Sequence, residues 1–135
     1  MEGAAMKTFE LDTPAYDLID ITRQVEQAVA ESGVREGLCC VYCPHTTAAI
    51  TINENADPDV VHDLLLALGD TFPDRPAFRH AEGNSHAHLK SSAVGCSETI
   101  PVSDGRLALG TWQGVRFCEF DGPRHRRFFV QIIGN

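Results

Sequence analysis

The chain has 135 residues, 43% of them hydrophobic and 22% charged, with a formal net charge of −8 at pH 7. That length suffices for one domain with its own core, needing neither disulfides nor a structural metal. The negative charge argues against nonspecific binding to nucleic acid or to an anionic membrane, because either surface repels the chain at long range. No apolar run approaches the roughly 20 residues that span a bilayer. The start, Met1 to Lys7, lacks the basic and apolar segments of an export signal, so a cytoplasmic location is expected.

In chain order, Met1 to Ala5 reads as a disordered extension before a first strand near Thr8 to Leu11. Ile21, Val25, Ala28 and Val29 recur at helical spacing, with Asp20 or Thr22 available as N-cap and Gly33 placed to end the helix. A strand follows at Leu38 to Cys43. It carries Cys39, Cys40 and Cys43, three of the five cysteines; Cys40 and Cys43 make one Cys-x-x-Cys pair with no second pair after it. In so apolar a run, free cysteines read more simply as small buried hydrophobes than as a metal or redox site. The β-branched run Thr47 to Ile52 is the next strand. Asp57, Pro58 and Asp59 then supply an N-cap, an N1 proline and a first-turn acid for a helix ending by Gly69. Its stripe of Val60, Val61, Leu64, Leu65 and Leu68 should pack on a sheet. Asn84 can cap a short helix over about Ser85 to Ala93. The remainder is strand-rich, Glu98 to Val102, Leu107 to Leu109, Val115 to Phe120 and Phe128 to Ile133, with turns at Asp104-Gly105 and Asp121-Gly122 that imply successive hairpins. The order predicts one α+β domain with a mostly antiparallel sheet or sandwich, two main helices and one short one.

Half of the six histidines lie between His80 and Leu89, in His-Ala-Glu-Gly-Asn-Ser-His-Ala-His-Leu. Imidazole is a common metal ligand and titrates near physiological pH, so this density suits a divalent-metal or acid–base site; the plainer reading is a polar surface loop. Helical spacing puts Asn84, His88 and Ser91 or Ser92 on one face and turns His86 away. His80 reaches that face only if the Glu82-Gly83 turn folds it back. His45 stands at a strand end in Pro44-His45-Thr46-Thr47, beside two hydroxyls that can bind an oxyanion or simply favour a strand. Glu54 sits at the entrance to the second helix. Trp112-Gln113 makes either a binding wall or a packed corner. Glu119, if it faces inward, needs a cation, and Arg124 is near in sequence. Arg124, Arg126 and Arg127 cluster with His125, a positive spot suited to a small anion.

Pro44-His45-Thr46-Thr47-Ala48-Ala49, Asn53-Glu54-Asn55-Ala56-Asp57-Pro58-Asp59-Val60, His80 with Gly83-Asn84, Ala87-His88-Leu89-Lys90, Leu109-Gly110-Thr111-Trp112-Gln113 and Glu119-Phe120-Asp121-Gly122-Pro123-Arg124 together resemble the YjbQ-like family. Its members are small bacterial and archaeal proteins, some described as secondary thiamine-phosphate synthases. The resemblance implies a bent antiparallel sheet, a homotrimer, and a polar pocket that holds a metal ion or an oxyanion. Carried over by position, that pocket comprises His45, His80, Asn84 and His88, with Ser92, Trp112, Gln113, Glu119 and Arg124 as neighbours. His86 departs from the family pattern and adds an imidazole near the site.

The resulting expectation is a metal-dependent enzyme acting on a small phosphorylated substrate. His45, His80 and His88 would hold a divalent ion such as zinc and leave a coordination position open. Asn84, Thr46 and Arg124 would orient an oxyanion, Thr47, Ser92, Trp112 and Gln113 would contact substrate, and Glu119 or Glu54 would serve as acid–base. The alternative is a non-catalytic trimeric protein that binds a metal or metabolite.

Overall fold

The computed structural model describes residues 5–135; Met1 to Ala4 of the expected extension lie outside the described residues. The elements are β1 (Lys7–Asp12), β2 (Asp17–Asp20), α1 (Thr22–Ser32), β3 (Gly37–Tyr42), β4 (Ala48–Glu54), α2 (Pro58–Thr71), α3 (Ser85–Val94), β5 (Ser97–Ser103), β6 (Arg106–Leu107), β7 (Gln113–Glu119) and β8 (His125–Gly134). They form an α+β sandwich with a five-stranded sheet in the order β1-β8-β3-β5-β6 and a three-stranded sheet in the order β2-β7-β4, every pairing antiparallel.

Period-2 alternation places the core. Cys39, Val41, Phe128, Val130 and Ile132 of the large sheet meet Ala48, Ile50, Val115 and Phe117 of the small one, and α1 adds Val25, Ala28 and Val29. On the other face of the small sheet, Leu18, Ala49, Cys118 and Phe120 are covered by Ala87 of α3 and by Val61, Leu64, Leu65 and Leu68 of α2. β7 is therefore covered on both faces, and everything after its first residue is buried. No helix among the described residues is long and apolar enough to cross a membrane.

Three expectations about local structure are corrected. The Asp121-Gly122 turn does not close a hairpin, because β7 and β8 belong to different sheets and the turn carries the chain from one to the other. Neither Asp20 nor Thr22 occupies the N-cap of α1. Ile21 does, while Asp20 Oδ1 accepts the Thr22 N–H at 3.0 Å and so still satisfies a first-turn donor. The strand expected at Leu107 to Leu109 is only the two residues of β6, paired with β5.

Candidate functional site

Three connections converge at one end of the small sheet: the β3–β4 loop, the segment leading into α3, and the crossing from β7 to β8. Between them lies a cavity of about 360 Å³ whose walls include His45, Thr46, Thr47, His80, His88, Asn84 and Arg124, seven of the expected residues, together with Glu82 and Arg126. Gly83, at φ 73°, makes the reversal that brings His80 back over α3. The His80 and His88 rings then meet edge to face, with centroids 5.3 Å apart, and the Glu82 carboxylate stands 3.9 Å from His80 Nε2. His86 projects away from this cavity, with Asp74 3.9 Å from its Nδ1.

His45 is neutral. Its Nε2 accepts the Arg127 backbone N–H at 3.0 Å, and burial, followed by the nearby Arg126 charge, holds its pKa below the usual imidazole value. With Nε2 accepting, the proton of the neutral ring sits on Nδ1. In this arrangement neither ring nitrogen offers a free lone pair, so ligation of a metal by His45 would require the ring to give up its bond to Arg127. Among the described residues, no three His, Cys, Asp or Glu side chains are grouped to hold a metal ion.

Beneath the cavity lies a buried ion pair. Glu119 is fully buried, and Arg126 grips it twice, Nε donating to Oε1 at 2.7 Å and the second guanidinium nitrogen to Oε2 at 2.6 Å. Thr13 Oγ1 and the Asp121 backbone N–H also donate to Glu119, at 2.5 and 2.9 Å. Burial alone would raise its pKa, but the hydrogen bonds from Arg126, Thr13 and Asp121 outweigh it and hold the carboxyl below its ordinary range. The cation that answers Glu119 is thus Arg126 and not Arg124, because alternation along β8 turns Arg126 inward with Phe128 and Val130. So engaged, Glu119 positions its neighbours and has no free oxygen with which to act as the expected acid–base group. Thr47 is committed as well, its Oγ1 accepting from Arg126 at 2.8 Å.

Arg124 is half-exposed and held by Asp121, through the backbone oxygen at 2.8 Å and Oδ2 at 3.0 Å. Asn84 sits at the N-cap of α3, yet its side chain makes no cap. It donates from Nδ2 to the same Asp121 oxygen at 2.7 Å and leaves Oδ1 buried without a hydrogen-bond partner. A second cavity, of about 570 Å³, adjoins the first across Pro44, His45, Thr46 and His88, and the exposed Ser92 lines it.

Glu54, Trp112 and Gln113 stand apart. β4 and β7 run antiparallel with Ala48 opposite Glu119 at one end and Glu54 opposite Gln113 at the other, so about 20 Å of strand separates them from the histidines. Gln113 folds back to accept the Gly110 N–H at 2.8 Å, and Trp112 is 63% exposed. Within one chain these three do not neighbour the cavity as expected. Sequence reasoning set Arg126 only within a positive spot suited to a small anion and gave no individual role to Glu82 or Asp121; the inward alternation of β8 was the available signal for Arg126 as the partner of Glu119.

The profile of the family described as UPF0047 protein YjbQ-like matches residues 7–135. A UPF0047 protein of Methanocaldococcus jannaschii is 56% identical over 88% of this chain and 86% of its own length, and UPF0047 protein YugU of Bacillus subtilis is 52% identical over 96% and 99%. A crystal structure of an uncharacterised YjbQ/UPF0047 protein from Clostridium acetobutylicum superposes with a TM-score of 0.92 at 55% identity, covering 94% of this chain and 99% of that one. A YbjQ-like protein of unknown function from Sulfolobus solfataricus gives the same TM-score at 35% identity, covering 96% of each chain. The chain belongs to the YjbQ-like UPF0047 family.

Proposed function

We propose that this protein is a metal-dependent enzyme acting on a small phosphorylated substrate. The observation that carries the reading is the convergence of His45, His80, His88, Thr46, Asn84 and Arg124, drawn from separate segments, on one cavity. This concentration of donors sits on a chain whose net charge of −8 would otherwise repel an anion.

The chemistry of the donors suits a divalent ion such as zinc, although in their present positions no three of them among the described residues are grouped to hold one. His80 and His88 already stand together with Glu82 beside them, and two imidazoles with a carboxylate are a known catalytic zinc set. Glu82 therefore takes the third place first assigned to His45, and ligation requires the exposed Glu82 and His80 side chains to rotate inward. A bound ion would supply Lewis-acid polarisation of a substrate oxygen. The remaining groups belong to the chain itself. Arg124, tethered by Asp121, offers charge-assisted hydrogen bonds to phosphate. Thr46 and the neutral His45 add donors without adding charge. Asn84 steadies Asp121 and, through it, Arg124.

The reaction to which the motif resemblance points is the joining of a pyrimidine diphosphate to a thiazole phosphate with release of pyrophosphate, giving thiamine phosphate. The saturation of Glu119 favours the second reading, a non-catalytic protein that binds a metal or metabolite, because it removes one expected acid–base group. We also infer assembly as a homotrimer, supported by exposed Leu38 and Ile133, which are cross-strand partners on the outer face of the large sheet.

The test is metal analysis of protein purified without an affinity tag, phosphate binding by calorimetry, mass by light scattering, and a thiamine-phosphate synthesis assay. The expected results are a retained divalent ion, lost in His88→Ala and kept in His86→Ala, and a mass three times that of one chain. A folded wild-type protein that takes up neither metal nor phosphate would overturn the reading. Metal and phosphate binding without turnover would select the non-catalytic one.

A further inference from the structure

The two cavities differ sharply in chemistry although they share a wall. Arg124, Arg126 and Glu82 line the first, so it is charged. Tyr42, Cys43, Ser91, Ser92, Gly95 and Cys96 complete the second, and among the described residues no Asp, Glu, Lys or Arg lines it. Its polar groups are also quiet. Ser91 already donates to the Ala48 carbonyl at 2.7 Å. Burial pushes the Cys43 thiol up to about 11, so it stays uncharged at neutral pH. Tyr42 stacks on Phe129, with centroids 6.3 Å apart and planes 11° from parallel, while 43% of the residue stays exposed.

We propose that the site takes a two-part ligand, a phosphorylated head in the first cavity and an uncharged ring-bearing body in the second, with His45 and His88 at the junction. This rests on the reading that the first cavity binds phosphate. Desolvating a charged group in the second cavity would find no countercharge there, whereas an uncharged ring loses little on leaving water and gains contact with Tyr42, Pro44 and the two cysteines. Volume agrees. Sites for small molecules run from roughly 300 to 1,000 Å³, and the second cavity, at about 570 Å³, has room for far more than phosphate.

The test is calorimetry on the full chain with inorganic phosphate and phenyl phosphate as probes, repeated on Cys96→Phe and Cys96→Trp, which fill the second cavity to different extents from the connection between α3 and β5. Wild type should bind phenyl phosphate about tenfold more tightly than phosphate, as burial of an apolar ring predicts. Either filling variant should abolish that preference while phosphate affinity stays within about twofold, with melting curves confirming the fold of each. If phosphate binds and the ring adds nothing, or if both variants retain the preference, the two-part ligand is overturned while the phosphate reading stands. If wild type binds neither probe, the phosphate reading fails and the inference falls with it.

Discussion

Replacing Arg126 with Met would test whether the Glu119–Arg126 pair supports the site as its geometry implies. Met keeps the length and apolar stem of the side chain but leaves the Glu119 carboxylate buried with only Thr13 and the Asp121 N–H as donors. Breaking one partner out of a buried pair costs about 3–5 kcal/mol. At roughly 2.1 cal/mol/K of unfolding entropy per residue, a chain of 135 residues should lose on the order of 11–18 °C in Tm at pH 7. The pH dependence carries the sharper information. In the native chain the pKa of Glu119 is depressed, so its stabilisation is present above the unfolded value near 4.3 and is lost as pH falls through the lower folded value. Without Arg126, desolvation dominates and raises the folded pKa, so the carboxyl escapes its penalty by taking a proton in mild acid. The stability difference between wild type and Arg126→Met, from denaturant titrations between pH 7 and pH 4, should therefore shrink steadily toward acid. A difference that stays constant or widens, or a penalty below about 1 kcal/mol at pH 7, would refute the reasoning.

Three further outcomes follow from the structure. His45 has a depressed pKa, so the unfolded chain binds its proton first; stability present above about pH 6.5 is lost as pH falls through the lower folded value, and His45→Gln should flatten that slope in denaturant titrations. A Cβ on Gly122 would meet the Pro14 carbonyl oxygen at 2.0 Å, so Gly122→Ala should cost about 1–3 kcal/mol and weaken phosphate binding by shifting Asp121 and Arg124. Gly69→Ala, in α2 with only an ordinary 3.9 Å contact, should instead stabilise by about 0.5–1 kcal/mol, both changes being read from thermal melts.

The features read correctly from sequence are those with local causes. Asp57-Pro58 marks the start of α2, with Asp57 Oδ1 accepting the Asp59 N–H at 2.9 Å, and Gly33 ends α1 at φ 71°. The clustering of histidines around Gly83 pointed to the cavity for the same reason, since one turn and one helix face bring His80 and His88 together. What escaped notice depends on partners distant in sequence. β2 is four residues of Asp-Leu-Ile-Asp, too short to show a period, and it exists because β7 offers an edge to pair with. An Asp-Gly turn looks alike in a hairpin and in a crossing between sheets, so the separation of β7 from β8 was not readable. Register explains the stranding of Trp112 and Gln113: they precede β7's inward residues in sequence, and the strand carries them to its far end.

The Glu119–Arg126 pair has a consequence for how this protein can change. Its atoms join β7 to β8, hold the loop before β2 through Thr13, fix the strand entry at Thr47, and pin the turn that presents Arg124. A substitution there would alter ligand recognition and folding at one stroke, so selection has no means of tuning either alone. The rim is different: His80, Glu82, Ser92 and Cys96 are exposed, and the 3.9 Å approach of Glu82 to His80 is a contact within the rim itself. Variation in ligand preference should accumulate on that rim while the floor stays fixed, and any effort to redirect the site has its freedom there.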